Sequence, residues 1–112
     1  MAELTCKLQG NFEEILAAIT EAVNKSVSAS LEASSTFRQD GLTCAVRVFE
    51  RYSYMGGNRV SLSVTLFGND EQSQICAVTS GGSQAMFFKI NTWGEESFLD
   101  SVRWVIDRYK AR

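Results

Sequence analysis

Histidine is absent from this chain of 112 residues. It is the commonest general base, the usual partner of a serine or cysteine nucleophile, and the commonest imidazole ligand of metal ions. Its absence removes a component from most hydrolytic and metal-dependent mechanisms, and the sequence offers no other recognisable catalytic constellation. We therefore predict a protein that is not an enzyme, with no cofactor and no metal site.

Long apolar runs are absent too, since no stretch approaches the roughly 18 apolar residues that a membrane-spanning helix needs. The first ten residues show no charged segment followed by an apolar one, as a secretory signal would. The cysteines, Cys6, Cys44 and Cys76, are odd in number and widely spaced, which suits free thiols in a reducing compartment. We predict a cytoplasmic protein without membrane contact.

Excess charge is small, with a net charge of −2 and a pI near 5.1. Proteins that bind duplex nucleic acid usually carry a clear basic excess, so the balance argues against such a partner. Proline is missing altogether, and neither a linker nor a repeat divides the chain. The hydrophobic fraction of 45% and the charged fraction of 21% are typical of one globular domain over residues 1–112.

Two amphipathic helices are predicted, separated by strands. The first begins after Asn11, which can cap it, and Glu14 completes a capping box. Its buried stripe is Phe12, Ile15, Leu16, Ile19, Ala22 and Val23. The second follows Thr92, which with Glu95 forms another capping box. Its buried stripe is Phe98, Leu99, Val102, Val105, Ile106 and Tyr109.

The remaining residues alternate with period two, first over residues 3–9 and again between about residues 29 and 90. Asp40-Gly41 predicts a two-residue hairpin turn that pairs Gln39 with Leu42. A loop of Gly56, Gly57 and Asn58 would pair Val48 with Leu66. This register turns Cys44, Val46 and Val48 toward the helices, so Cys44, like Cys6, is predicted in the core and Cys76 on the outer face.

Gly81 and Gly82, flanked by serines, raise the question of a phosphate-binding loop. Such a loop needs a helix directly after its glycines and usually a lysine beside them. The following residues, "QAMFFKI", alternate as a strand does, and no lysine stands next to the glycines. We therefore predict a hairpin turn that pairs Ala77 with Met86 and Ile75 with Phe88.

These elements predict a two-layer α+β domain in the order β-α-β-β-β-β-β-α. An antiparallel sheet of about six strands carries two helices on one face and leaves the other face open. Helix-grip and TATA-binding-protein-like sheets are architectural analogies only.

The stretch "FFKINTWGEESF", residues 87–98, and the general layout resemble a family of small uncharacterised bacterial proteins of unknown function. The resemblance implies a cytoplasmic bacterial protein. It implies no catalytic or binding residues.

One candidate site lies at the far end of the strand that begins at Leu42. At about 3.3 Å per residue this strand would reach roughly 45 Å, whereas the helices cover only about 22–27 Å. Glu50, Tyr52 and Tyr54 continue its inward-facing set, and a carboxylate beside two phenols can bind a polar small molecule. The alternative is that a bulge returns Glu50 to solvent while the tyrosines pack over the sheet edge.

The uncovered sheet face is a second candidate, because basic and aromatic residues alternate there. They are Arg47, Arg51, Lys89, Phe49, Phe67 and Phe87. Such a mixture resembles single-stranded RNA platforms. The characteristic RNP run is absent and the domain is acidic, so nucleic acid is disfavoured.

The same face is predicted to mediate self-association, because exposed apolar patches commonly mark interfaces. The predicted interface residues are Phe49, Phe67, Cys76, Val78, Ala85 and Phe87, with Trp104 on the polar side of the second helix as a further anchor. We therefore expect a non-enzymatic interaction module that forms a homodimer. A small-molecule-binding domain using the cleft near Glu50 is the alternative.

Overall fold

Five antiparallel strands and two helices make up the fold. The computed structural model describes residues 1–26, 28–53, 58–81 and 88–112, with the side chains of all of these except residues 53, 58 and 88–94. In chain order the elements are β1 (Ala2–Gln9), α1 (Phe12–Asn24), β2 (Ser30–Gln39), β3 (Leu42–Ser53), β4 (Asn58–Gly68), β5 (Gln72–Gly81) and α2 (Phe88–Tyr109). The sheet order is β1-β5-β4-β3-β2. The predicted α+β architecture is confirmed, with five strands in the described part of the chain instead of about six.

Local signals fix α1 as predicted. Asn11 has extended backbone angles, and its Oδ1 accepts a hydrogen bond from the backbone N–H of Glu14 at 2.9 Å. All six residues of the predicted stripe are buried against the sheet and α2. No helix among the described residues is long and apolar enough to cross a membrane.

The hairpin between β2 and β3 also follows the prediction. Asp40 and Gly41 both have positive φ angles, 54° and 80°, as a primed two-residue turn requires. Gln39 pairs with Leu42, and Phe37 pairs with Cys44. The turn residues alone therefore specify this register.

The predicted register between β3 and β4 is wrong. Val48 pairs with Ser63, and Leu66 pairs with Ala45, because four residues separate Ser53 from Asn58 instead of the three expected in the loop. The partner of Val48 is shifted by three residues, from Leu66 to Ser63. Because three is an odd number, every side chain of β3 lies on the opposite face from the one expected.

The inversion exchanges the two sides of β3. Ala45 and Phe49 are fully buried under the helices, whereas Cys44, predicted in the core, lies on the uncovered face with Val46 and Val48. β4 and β5 keep their predicted orientation. Their buried residues are Val60, Leu62, Val64, Leu66, Ile75 and Ala77.

The predicted pairing of Phe88 with Ile75 is wrong as well. Phe88 is the first residue of α2, and β5 already has a partner on each side. Ile75 pairs with Cys6 of β1 and with Leu66 of β4, so no edge remains for Phe88. Gly81 ends β5, and the rest of the predicted turn, Gly82 with the Met86 pairing, lies outside the described residues.

Because α2 begins at Phe88, Thr92 lies within the helix and does not cap it. The predicted stripe is nevertheless buried except for Tyr109, which is half-buried. Glu95 is itself buried: its carboxylate accepts a hydrogen bond from the backbone N–H of Gly81 at 2.6 Å and lies 2.7 Å from the terminal ammonium group of Met1. The carboxylate thus links α2 to the ends of β1 and β5.

Glu95→Gln is expected to lower the free energy of unfolding by about 1–3 kcal/mol, since a charged acceptor in a buried hydrogen-bond network is lost. Glu96→Gln is the matched control, because Glu96 is exposed and bonds only Arg103, at 3.2 Å, among the contacts described. Urea unfolding followed by circular dichroism measures both changes. Equal effects of the two substitutions would contradict the role assigned to Glu95.

Two arginines of β3, Arg47 and Arg51, lie on the helix side of the sheet. Arg51 stacks 4.6 Å from the ring centroid of Phe98 and donates hydrogen bonds to Ser26 and Ser97 at 2.8 and 2.9 Å. Burial lowers the pKa of the Arg51 guanidinium below its ordinary value. Arg47 reaches across to β2 and donates to the carbonyl oxygen of Ser35 at 2.8 Å.

Candidate functional site

The uncovered face of the sheet carries an apolar band along β3. Four consecutive outward positions of this interior strand are apolar: Leu42, Cys44, Val46 and Val48. The register places Phe37 of β2 and Phe67 of β4 on either side of Cys44. We define the apolar band as these six residues.

The exposure of the two phenylalanines shows that the described chain does not cover the band. Phe37 is 63% exposed and Phe67 is 43% exposed, although both are large apolar side chains. Cys76 and Val78 lie on the same face of β5, where Thr65 and Ser63 of β4 separate them from the band. A depression of about 520 Å³ lies beside Phe67, between Thr5 and Cys76.

Charged groups border this surface at its ends. Lys7 and Glu3 stand on β1, and at the other end Glu50 forms an ion pair with Arg59 at a distance of 3.0 Å. Tyr52 pairs with Arg59 across the strands, so it shares this face with Glu50. The apolar band is therefore flanked by hydroxyl side chains of β4, and charged groups lie farther out on the same face.

The predicted cleft residues are thus in a different place from the one expected. Glu50 and Tyr52 were predicted to continue the inward-facing set, but the inverted parity of β3 puts both on the uncovered face. Tyr54 lies outside the described residues. The prediction that these side chains line a cleft on the helix side is wrong for Glu50 and Tyr52.

Three of the predicted interface residues, Phe67, Cys76 and Val78, do lie on the uncovered face. Phe49 does not: it is fully buried under the helices, so its predicted position is wrong. Ala85 and Phe87 lie outside the described residues.

Trp104 is on the solvent side of α2, as its phase predicts, and is 51% exposed. The ammonium group of Lys25 lies 6.0 Å from the centroid of its ring. Trp104 is therefore remote from the sheet face, which α2 does not cover.

The basic residues expected on this face are not there. Arg47 and Arg51 lie on the helix side, and Lys89 belongs to α2, where its side chain is not described. The alternation of basic and aromatic residues that suggested an RNA platform is therefore absent from the described face. Among the described residues, no group of three or more cysteine or acidic side chains could hold a metal ion.

Sequence reasoning missed Phe37, Cys44, Val46 and Val48 as surface residues. The pairing of Phe37 with Cys44 and of Ser35 with Val46 was predicted correctly. Only the side of the sheet assigned to these residues was wrong. β3 has apolar residues at both even and odd positions, so its alternation alone does not identify the buried face.

Comparison with known proteins and protein families identifies the family of the chain. No curated protein and no solved structure shows significant similarity to the chain. A model of a family of unknown function matches residues 1–110, and the chain therefore belongs to that family, DUF6054.

Proposed function

We propose that this protein is a non-enzymatic interaction module of the cytoplasm that forms a homodimer through the uncovered face of its sheet. The observation that carries the proposal is the apolar band: four consecutive outward apolar residues on an interior strand, with exposed phenylalanines on both sides. Contiguous apolar surface of this kind usually marks an interface.

The size of the face fits a second copy of the chain. Four to five strands about 4.8 Å apart, each contributing about ten residues, present roughly 600–800 Å². A stable interface of ordinary size buries about 800 Å² on each partner. Two such sheets can pack face to face with their strands nearly aligned, as in a β-sandwich. One self-complementary surface then suffices for a closed dimer.

The three cysteines support the proposed compartment. Cys6, Cys44 and Cys76 are all free thiols. Cys44 and Cys76 stand on the open face, where a reducing environment would keep them from oxidation.

Phe67→Glu tests the contact. The new carboxylate would lose its hydration within the face-to-face contact, so the dissociation constant should rise roughly thirtyfold or more. Sedimentation at micromolar concentration should then show an assembly of half the wild-type mass. Trp104→Ala is the control and should leave the mass unchanged, because Trp104 lies on the solvent side of α2.

Thiol labelling gives an independent measurement at the same site. Cys44 and Cys76 should react more slowly as the wild-type concentration rises, and Phe67→Glu should remove this protection. A wild-type chain that sediments at its monomer mass of 12.4 kDa contradicts the proposal. Dissociation by Trp104→Ala alone would also contradict it, since the interface would then lie on α2.

The alternative proposal is a small-molecule site around Glu50 and Tyr52. The favouring observation is the polar corner that these two residues make with Arg59, whose guanidinium is 3.0 Å from the Glu50 carboxylate. Native mass spectrometry of gently purified protein distinguishes the two functions. A bound species that Glu50→Gln displaces supports the alternative, and a chain without one rejects it.

A further inference from the structure

Strand β2 is the one long free edge of the described sheet. The order of the strands puts β1 and β2 at its two ends. The edge of β1 is partly occupied, because Leu8 bridges Lys110 and the backbone N–H of Ala111 donates to the carbonyl oxygen of Lys7 at 2.8 Å. On the outer side of β2 no described residue pairs with the backbone.

An edge of this kind is usually protected in natural sheets. Short length, lysine, proline and bulges all prevent edge-to-edge pairing. β2 has ten residues, nine of them exposed, and contains neither lysine nor proline. Its bulge lies between Leu31 and Ala33, so seven regularly paired residues, 33–39, remain. The strand therefore retains an extended template for pairing.

The sequence of β2 is complementary to itself. If a two-fold axis passes through Ser35, antiparallel pairing of two copies places Glu32, the residue in the bulge, opposite Arg38 at both ends of the contact. Arg38 also lies 3.6 Å from Glu13 of its own chain, which holds its guanidinium beside this edge. The same register places Ala33 opposite Phe37, and a small residue leaves room for the exposed ring. Opposite charges and complementary sizes across strands both stabilise such pairs.

We propose that β2 pairs antiparallel with β2 of a second copy, with Ser35 on the two-fold axis, so that the two sheets form one continuous sheet. This axis is perpendicular to the sheet, which leaves both uncovered faces on the same side and open. The edge contact therefore goes beyond the face-to-face contact and does not depend on it, and with both contacts two face-to-face dimers join into a tetramer.

Charge exchange tests the register in the Phe67→Glu chain, where the face-to-face contact is removed. That chain should sediment at twice its monomer mass through the edge contact. Glu32→Arg and Arg38→Glu each replace two attractive contacts by two repulsive ones, so each should raise the dissociation constant roughly tenfold to a hundredfold. The double substitution should restore it. Glu21→Arg, on the exposed side of α1, is the matched control and should change nothing.

A cysteine on the axis provides a second measurement, which reports the register of the edge contact directly. Under mild oxidation Ser35→Cys should form a disulfide between the two copies at position 35, located by peptide mapping, whereas Ser34→Cys should not. A Phe67→Glu chain that is monomeric, or a double charge exchange no better than the single ones, overturns the edge contact. Neither result affects the face-to-face proposal, which rests on the wild-type mass and the protection of Cys44 and Cys76.

Discussion

Replacing Phe49 by alanine is expected to lower the free energy of unfolding by about 3–5 kcal/mol. The ring is fully buried at 0% exposure and lies opposite Leu62, which is equally buried. Truncation removes the transfer free energy of the ring and leaves a cavity, since neighbouring strands hold the surrounding backbone. The expected loss is a large part of the stability of a domain of this size.

Trp104→Ala is the matched control, because it removes a still larger aromatic side chain from a position that is 51% exposed. Only its contact with Lys25 and part of its surface are lost, so the change should stay below about 1 kcal/mol. Urea unfolding measured by circular dichroism gives both values. Similar costs for the two substitutions would contradict the orientation of β3, because the sequence-based prediction places Phe49 on the open face.

The elements predicted correctly are those specified by residues close together in the chain. Asn11 and Glu14 mark the start of α1, and the spacing of its apolar residues fixes the buried side. Asp40 and Gly41 together determine a turn, and a two-residue turn leaves one register for the hairpin. In each case a few adjacent side chains decide the geometry.

The orientation of β3 is not decided locally. Cys44, Val46 and Val48 are apolar at even positions, while Ala45 and Phe49 are apolar at odd ones. A period-two pattern then no longer identifies the buried face, and the choice depends on the register with β4. That register follows from the number of residues between Ser53 and Asn58. The adjacent glycines, Gly56 and Gly57, do not determine this number, because they fit loops of several lengths.

The prediction of where α2 starts was wrong for a different reason. A short apolar run such as residues 84–90 has similar local preferences for strand and helix, and tertiary contacts decide between them. Here β1 takes the edge of β5 that a hairpin strand would have used, and Phe88 begins α2. The competitor for that edge is about 70 residues away in sequence, so no local pattern could reveal it.

The inverted β3 also changes the chemistry of the candidate site. Arg47 and Arg51 lie on the helix side of the sheet instead of on the open face. There the Arg51 guanidinium lies against the Phe98 ring and donates hydrogen bonds to Ser26 and Ser97. Val46 and Val48 take their place outside. The exchange removes the predicted alternation of basic and aromatic residues and enlarges the apolar surface, which supports the proposed face-to-face contact more strongly than the predicted orientation did.

Gly68→Ala is expected to lower the free energy of unfolding by about 3–5 kcal/mol, through backbone strain and overlap together. Gly68 ends β4 with a φ angle of 157°, and a Cβ atom there would lie 2.2 Å from the carbonyl oxygen of Gln72 and 2.5 Å from the Cα atom of Ser73. Both are backbone atoms. The Gln72 oxygen also accepts a hydrogen bond from the backbone N–H of Asn69 at 2.9 Å, so the turn between β4 and β5 cannot move aside without losing it.

Gly41→Ala separates strain from overlap, because Gly41 has a φ angle of 80° but no atom within 4 Å of the added Cβ. Its cost should be limited to about 1–2 kcal/mol of left-handed backbone strain. Gly68 directly follows Phe67, so a displaced turn should also shift that ring and weaken self-association, whereas Gly41→Ala should not. Thermal unfolding and sedimentation of both variants test this pair of effects. If the two glycine substitutions lower the free energy of unfolding equally, the close approach of β5 to Gly68 is not what makes Gly68→Ala costly.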